Sequence, residues 1–114
     1  MFQKNRSTES IIAQSGVDNT LYSFTASAGS VYLLSLTVGF SANASGNRKL
    51  SITADSGILP AQLETPSNAS GYTTQTVTTF ITAGTATKIN FSCSQNSGVA
   101  LNLPIVLIKT MQIK

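Results

Sequence analysis

Residues 32–40 alternate, with Leu33 the one apolar residue on the polar side. Tyr32, Leu34, Leu36, Val38 and Phe40 fall on one side, and Leu33, Ser35, Thr37 and Gly39 on the other. Successive side chains of a strand point to opposite faces, so this is a strand with one apolar face. A helix would need its apolar residues at i, i+3 and i+4, and they do not recur there. The pattern repeats along the chain. Leu50, Ile52 and Ala54 alternate with Ser51 and Thr53, and Asp55-Ser56-Gly57 closes that strand. Residues 73–82 are almost entirely Thr, Val, Phe and Ile, the types that suit a pleated surface. Ile89, Phe91 and Cys93 form one face of the next segment, with Lys88, Asn90, Ser92 and Ser94 opposite.

A last long strand runs from Val99 through Leu101, Leu103, Ile105 and Leu107. Pro104 cannot donate to a ladder, so a bulge or an edge is expected there. Residues 21–26 read as a weaker strand, and residues 9–14 and 58–63 as short strands or loops. Gly-, Asn- and Ser-rich turns separate these segments every 8–12 residues. Seven or eight short strands and no helical period imply an all-β fold, an antiparallel β-sandwich or barrel. At 114 residues the chain has room for one such core. Residues 1–18 are more polar and read as a lead-in from a preceding segment, with residues 19–114 forming the head domain.

Charge is scarce. Lys, Arg, Asp and Glu make up 10% of residues, and 16 Ser, 15 Thr, 8 Asn and 6 Gln take their place. A solvated sheet ordinarily carries charges that oppose edge-to-edge pairing. The C-terminal strand is apolar on both faces, with Val106 and Ile108 opposite Ile105 and Leu107. A strand of that kind is usually covered on both sides. A second copy of the chain is the simplest cover for the outer one. The other cover is the N-terminal segment, through Ile11 and Ile12.

The residue inventory excludes much chemistry. Without histidine there is no Ser-His-Asp or Cys-His nucleophile and no Cys/His zinc cluster. A single cysteine, Cys93, forms no internal disulfide, and its apolar face makes it a small buried hydrophobe. The four carboxylates, Glu9, Asp18, Asp55 and Glu64, are too dispersed for a calcium loop. We therefore expect no enzyme activity, no metal and no cofactor. The seven basic residues are scattered, with only Arg48 and Lys49 adjacent, which is not a nucleic-acid footprint. No apolar run approaches the ~18 residues that cross a bilayer, so no membrane insertion is expected.

Residues 28–48 read AGSVYLLSLTVGFSANASGNR. This segment resembles the small-Gly-x-Tyr strand opening of jelly rolls of the tumour-necrosis-factor-like, complement-globular-head type. It is most similar to the version in phage tail-fibre tips, where a long strand runs into an Asn-x-x-Gly-x-Arg loop, here Asn43, Gly46 and Arg48. Ala83-Gly84-Thr85 and Asn96-Ser97-Gly98 match two further turns of that family, although Thr85 stands where the family often carries an acidic residue. The resemblance covers roughly residues 20–110. It implies a jelly roll that assembles as a homotrimer at the tip of a fibre, after a stalk, in company with other virion structural proteins. It also implies a receptor-binding head that adheres to a host cell-surface saccharide, located in the virion. The alternatives are a non-binding structural or trimerisation cap of a viral fibre or capsid, and a tumour-necrosis-factor-like bacterial surface protein.

Sugars are neutral polyols, recognised by amides, hydroxyls and an aromatic face. The residues expected to bind are Asn43, Asn47, Arg48 and Tyr72, in or beside the two Asn-Ala-Ser-Gly loops. For Arg48 the competing role is structural, pairing with a loop carbonyl or with Asp55. For Asn43 and Asn47 it is ordinary turn formation, and for Tyr72 it is a hydrophobic anchor at a strand start.

Overall fold

The computed structural model describes residues 2–5, 11–55, 61–67 and 70–114. Parts of the expected short strands (9–10 and 58–60), of the turn after Asp55 (56–57) and of the second Asn-Ala-Ser-Gly loop (68–69) lie outside them.

The described residues form strands and connections, with no helix. The strands are β1 (Phe2–Asn5), β2 (Ile12–Ala13), β3 (Asn19–Ala26), β4 (Val31–Phe40), β5 (Asn47–Ala54), β6 (Ala61–Pro66), β7 (Thr73–Thr82), β8 (Thr87–Gln95), β9 (Leu101–Asn102) and β10 (Ile105–Gln112). One four-stranded sheet has the order β1-β10-β4-β7, and a second has the order β3-β8-β5-β6. Leaving out the two-residue pair β2-β9 and renumbering the remaining strands along the chain gives 1-8-3-6 and 2-7-4-5. All of these pairings are antiparallel. This interleaving of two Greek keys is a jelly-roll β-sandwich.

The alternation in the sequence becomes the two faces of each sheet. Leu34, Leu36, Val38 and Phe40 of β4 face inward and are fully buried, as are Val106 and Ile108 of β10. They meet Leu50, Ile52, Ile89, Phe91 and Cys93 of the second sheet. Phe24 bridges the layers, its ring centre 5.1 Å from that of Tyr32 and 6.2 Å from that of Phe91.

The expected last strand is two strands. Leu101–Asn102 pairs with β2, and Ile105–Gln112 crosses to the first sheet between β1 and β4. Pro104, between them, has no N–H to continue a ladder, and the chain changes sheet there. Residues 2–5 and 12–13, read as part of a lead-in, supply β1 and β2, so they add an edge to the first sheet and a short ribbon at its end. Ile11 packs against the core, while Ile12 is exposed. On the outward face of β10, Ile105 and Leu107 are half-buried.

Candidate functional site

In an antiparallel sandwich, alternate connections share one end. The connections β1–β3, β4–β5, β6–β7 and β8–β10 therefore gather at one pole, which holds all four residues expected to bind. Backbone bonds stitch that pole together. Gly16 N–H donates to Gln95 O at 2.8 Å, and Ser41 N–H donates to Asn102 O at 3.0 Å.

The pole carries an open cleft of about 300 Å³, lined by Gly16, Val17, Asp18, Asn47, Lys49, Glu64, Ser94, Gln95 and Asn96. Asn47, Lys49, Glu64 and Ser94 lie on the outward face of the second sheet, where β5 pairs Lys49 with Glu64 on one side and Ser94 on the other. The far wall is the turn at residues 14–18. Asn19 holds it: its Oδ1 accepts from Gln14 N–H at 3.0 Å, and its Nδ2 donates to Gln14 O, Val17 O and Cys93 O. The floor residue Gln95 is buried with its amide fully used. Its Nε2 donates to Ala13 O and Val99 O, and its Oε1 accepts from Ser97 N–H and Oγ. The cleft is therefore preformed, with acidic, basic and amide groups side by side.

Asn47 is the one expected residue that lines this cleft. Its side chain donates to Glu64 Oε2 at 3.2 Å, and its backbone N–H donates to Asn96 Oδ1 at 2.6 Å. Tyr72 is 57% exposed at the same pole. It directly precedes Thr73, whose partner Phe40 ends β4, so residue 72 is next to the strand end from which the β4–β5 loop leaves. Asn43 shapes the loop itself: its Oδ1 accepts from Ser45 N–H at 2.8 Å, an Asx turn.

Arg48 is not at the surface. It is 0% exposed, because the parity that turns Asn47 and Lys49 outward turns Arg48 inward with Leu50 and Ile52. Its Nη1 donates to Ser45 O and Asn47 O, and its Nη2 to Asn43 O at 3.0 Å. The guanidinium lies 6.0 Å from the centre of the Phe40 ring, and Nε finds no acceptor among the described residues. Burial lowers its pKa from the ordinary arginine value. The fork of donors expected to meet a ligand instead ties the β4–β5 loop to the core, which corrects its expected binding role. The physical reason is strand parity.

Asp55, the carboxylate offered as an alternative partner for Arg48, lies at the opposite pole. Five residues of β5, Leu50 to Ala54, separate it from Lys49 at the cleft, roughly 20 Å of strand. There its backbone N–H donates to Lys88 O, and its carboxylate accepts from Asn90 Nδ2 at 2.9 Å. Asp18 and Glu64 take its place at the loop pole. Sequence reasoning missed Asp18, Lys49, Glu64, Ser94 and Asn96 as a group, because only sheet pairing brings residues 18, 49, 64 and 94 together. The outward parity of Lys49 was the one local signal. Among the described residues, no three of Cys, Asp and Glu gather in a way that could hold a metal ion.

Fold and cleft together define the class: an antiparallel jelly-roll sandwich with a preformed polar cleft at its loop pole. No protein-family model matches the chain, and no curated protein matches it. Solved structures do. A chain in the structure of infectious bursal disease virus, Gt strain, is 13% identical with a TM-score of 0.56, over 96% of this chain and 30% of that one. The Gx strain gives 16% and 0.54, over 98% and 30%. A carbohydrate-binding module of Cellvibrio mixtus lichenase 5A, solved with cellotriose, is 17% identical with a TM-score of 0.46, over 95% of this chain and 91% of that one. At these identities the likeness to the viral chains is one of fold. The chain spans less than a third of the viral chains it matches.

Proposed function

We propose that the chain is a non-catalytic adhesion head of a virion, at the tip of a phage tail fibre, that binds a host-surface saccharide in the loop-pole cleft. The observation that carries this reading is the cleft itself. It is preformed on paired strands, and it presents the amides of Asn47 and Asn96, the Ser94 hydroxyl, Lys49 and the carboxylates of Asp18 and Glu64 within one small space. Sugar hydroxyls donate and accept at once, so a mixed set of this kind suits them. Tyr72 supplies an exposed aromatic face nearby. Arg48 and Asn43 act as positioning residues that hold the loop. A single shallow contact of this kind binds with a Kd on the order of 0.1–1 mM, and several copies on one particle raise adhesion by avidity.

Assembly as a homotrimer with other virion proteins belongs to the same reading. It is supported by the apolar outward residues of the first sheet, Leu33, Ile105, Leu107, Met111 and Phe80. The non-binding structural cap rests on that same face and needs no cleft.

The test is binding of the isolated chain to host cell-wall glycans, beside a folded triple variant Asn47→Ala, Lys49→Ala, Glu64→Gln. The expected result is at least a tenfold loss of binding in the variant, with wild-type binding unchanged by EDTA. Unchanged binding in the variant would remove the cleft as the site. No wild-type binding to any host glycan would leave the structural cap.

A further inference from the structure

The two sheets have four edge strands, and three of them carry a feature that discourages pairing with another chain. β1 is four residues long and contains Lys4. β3 has a register shift between Thr20 and Tyr22, a bulge in its ladder. β6 contains Glu64 and ends on Pro66. Charge, proline, shortness and bulges are the usual protections of a sheet edge.

β7 has none of them. It is ten residues long, it pairs with β4 over all ten in unbroken register, and it contains no charged residue and no proline. It ends the order of the first sheet, with no strand on its other side among the described residues. Its outward residues Thr74, Thr76, Thr78 and Phe80 are all exposed, and Phe80, at 64%, is the most exposed large apolar side chain among the described residues.

We propose that β7 pairs antiparallel with β7 of a second copy of this chain, about a two-fold axis at Val77, joining the two first sheets into one. A strand edge is satisfied by another strand, and self-pairing about a two-fold sets a surface against itself. With no charge on β7, no like charges meet across the axis. Centring on Val77 sets Thr76 opposite Thr78 of the second copy, and Thr74 opposite its Phe80. Threonine pairs and threonine–aromatic pairs are favourable cross-strand neighbours. This contact uses the sheet edge and leaves both the loop-pole cleft and the outward face of β10 free. It is therefore compatible with a trimer built on that face, and it makes every assembly even-numbered.

The experiment is the solution mass of the full chain by sedimentation equilibrium, for wild type and two double variants. Thr76→Glu with Thr78→Glu sets like charges against each other twice across the axis. Thr76→Glu with Thr78→Lys sets opposite charges there. The wild type is expected to have an even number of copies, the Glu/Glu variant half that mass, and the Glu/Lys variant the wild-type mass. The halving distinguishes this edge from any trimer contact, whether or not the trimer exists. Hydrogen exchange supplies a second reading: alternate amides along β7 are protected in wild type and exchange freely in the folded Glu/Glu variant. An odd wild-type assembly, a Glu/Glu variant of unchanged mass, or equal loss of pairing in both variants overturns the proposal.

Discussion

Asn96 lies directly over Gly46. Its Oδ1 accepts the Asn47 N–H at 2.6 Å, and a Cβ on Gly46 would come within 2.7 Å of the Asn96 backbone oxygen. The two residues are fifty apart in sequence, yet they clamp the β4–β5 loop to the β8–β9 turn at the rim of the cleft. Gly46 also has φ +74°, in the left-handed region that side-chain-bearing residues rarely adopt. Position 46 is thus restricted to glycine by its backbone angle and by contact with backbone.

Gly46→Ala should therefore lose about 2–3 kcal/mol in urea unfolding, since strain and overlap act together. Asn96→Ala removes one hydrogen bond and should lose ~1 kcal/mol. Combining Gly46→Ala with Asn96→Gly should recover only part of the loss, because the backbone carbonyl remains in the way. Full recovery would show that the side chain alone sets the restriction.

Arg48→Met should lose about 3 kcal/mol, although methionine fits an apolar interior. It leaves Asn43 O, Ser45 O and Asn47 O without the donors they now have. Arg48→Lys keeps the charge but cannot spread donors over separate carbonyls, and should be about as destabilising. Added salt should change the wild-type stability little, because the charge is enclosed. Urea unfolding at low and high salt checks all three statements.

Gly39 and Ile105 touch across β4 and β10. A Cβ on Gly39 would meet Ile105 Cβ at 3.1 Å and Cδ1 at 3.2 Å. Gly39→Ala should cost ~1 kcal/mol, and Gly39→Val more, as the isoleucine is pushed outward. Shortening the neighbour with Ile105→Ala should relieve most of that cost. A double-mutant cycle reads the coupling, and a coupling near zero would mean that β10 shifts freely.

Burial and the nearby Asp18 push the Cys93 thiol from 9.0 up to about 12. A group whose folded pKa is raised contributes fully below its unfolded pKa and loses that contribution as pH rises toward the folded value. Stability should therefore fall between pH 9 and 12, by at most ~1.4 kcal/mol per pH unit from this group. Cys93→Ala should be less stable at neutral pH, and its alkaline decline should be shallower than that of wild type. A thiol reagent should label native Cys93 no faster than the chain unfolds.

The long central strands were legible from local chemistry. The alternation at residues 32–40 became β4, the Thr-rich run became β7 at its expected bounds, and the alternation at residues 88–94 became β8 (Thr87–Gln95). A side chain's face depends only on its parity within a strand, and parity is written in consecutive residues. The inward turn of Arg48 follows from the same rule, since it shares parity with Leu50 and Ile52. Pro104 likewise marked the break before β10 through its missing N–H.

The cleft was not legible. Asp18, Lys49, Glu64 and Ser94 meet because β8 and β6 flank β5 in the second sheet, and the 14–18 turn closes on Gln95. Those neighbours are chosen by the order of strands in a sandwich, which depends on how the whole apolar surface is covered at once. The same holds for the edge of β7: its sequence shows an uncharged strand, and only the sheet order shows that it ends the first sheet, with no further strand paired to it among the described residues. Periodicity reports which way a side chain points. Long-range pairing decides what it points at.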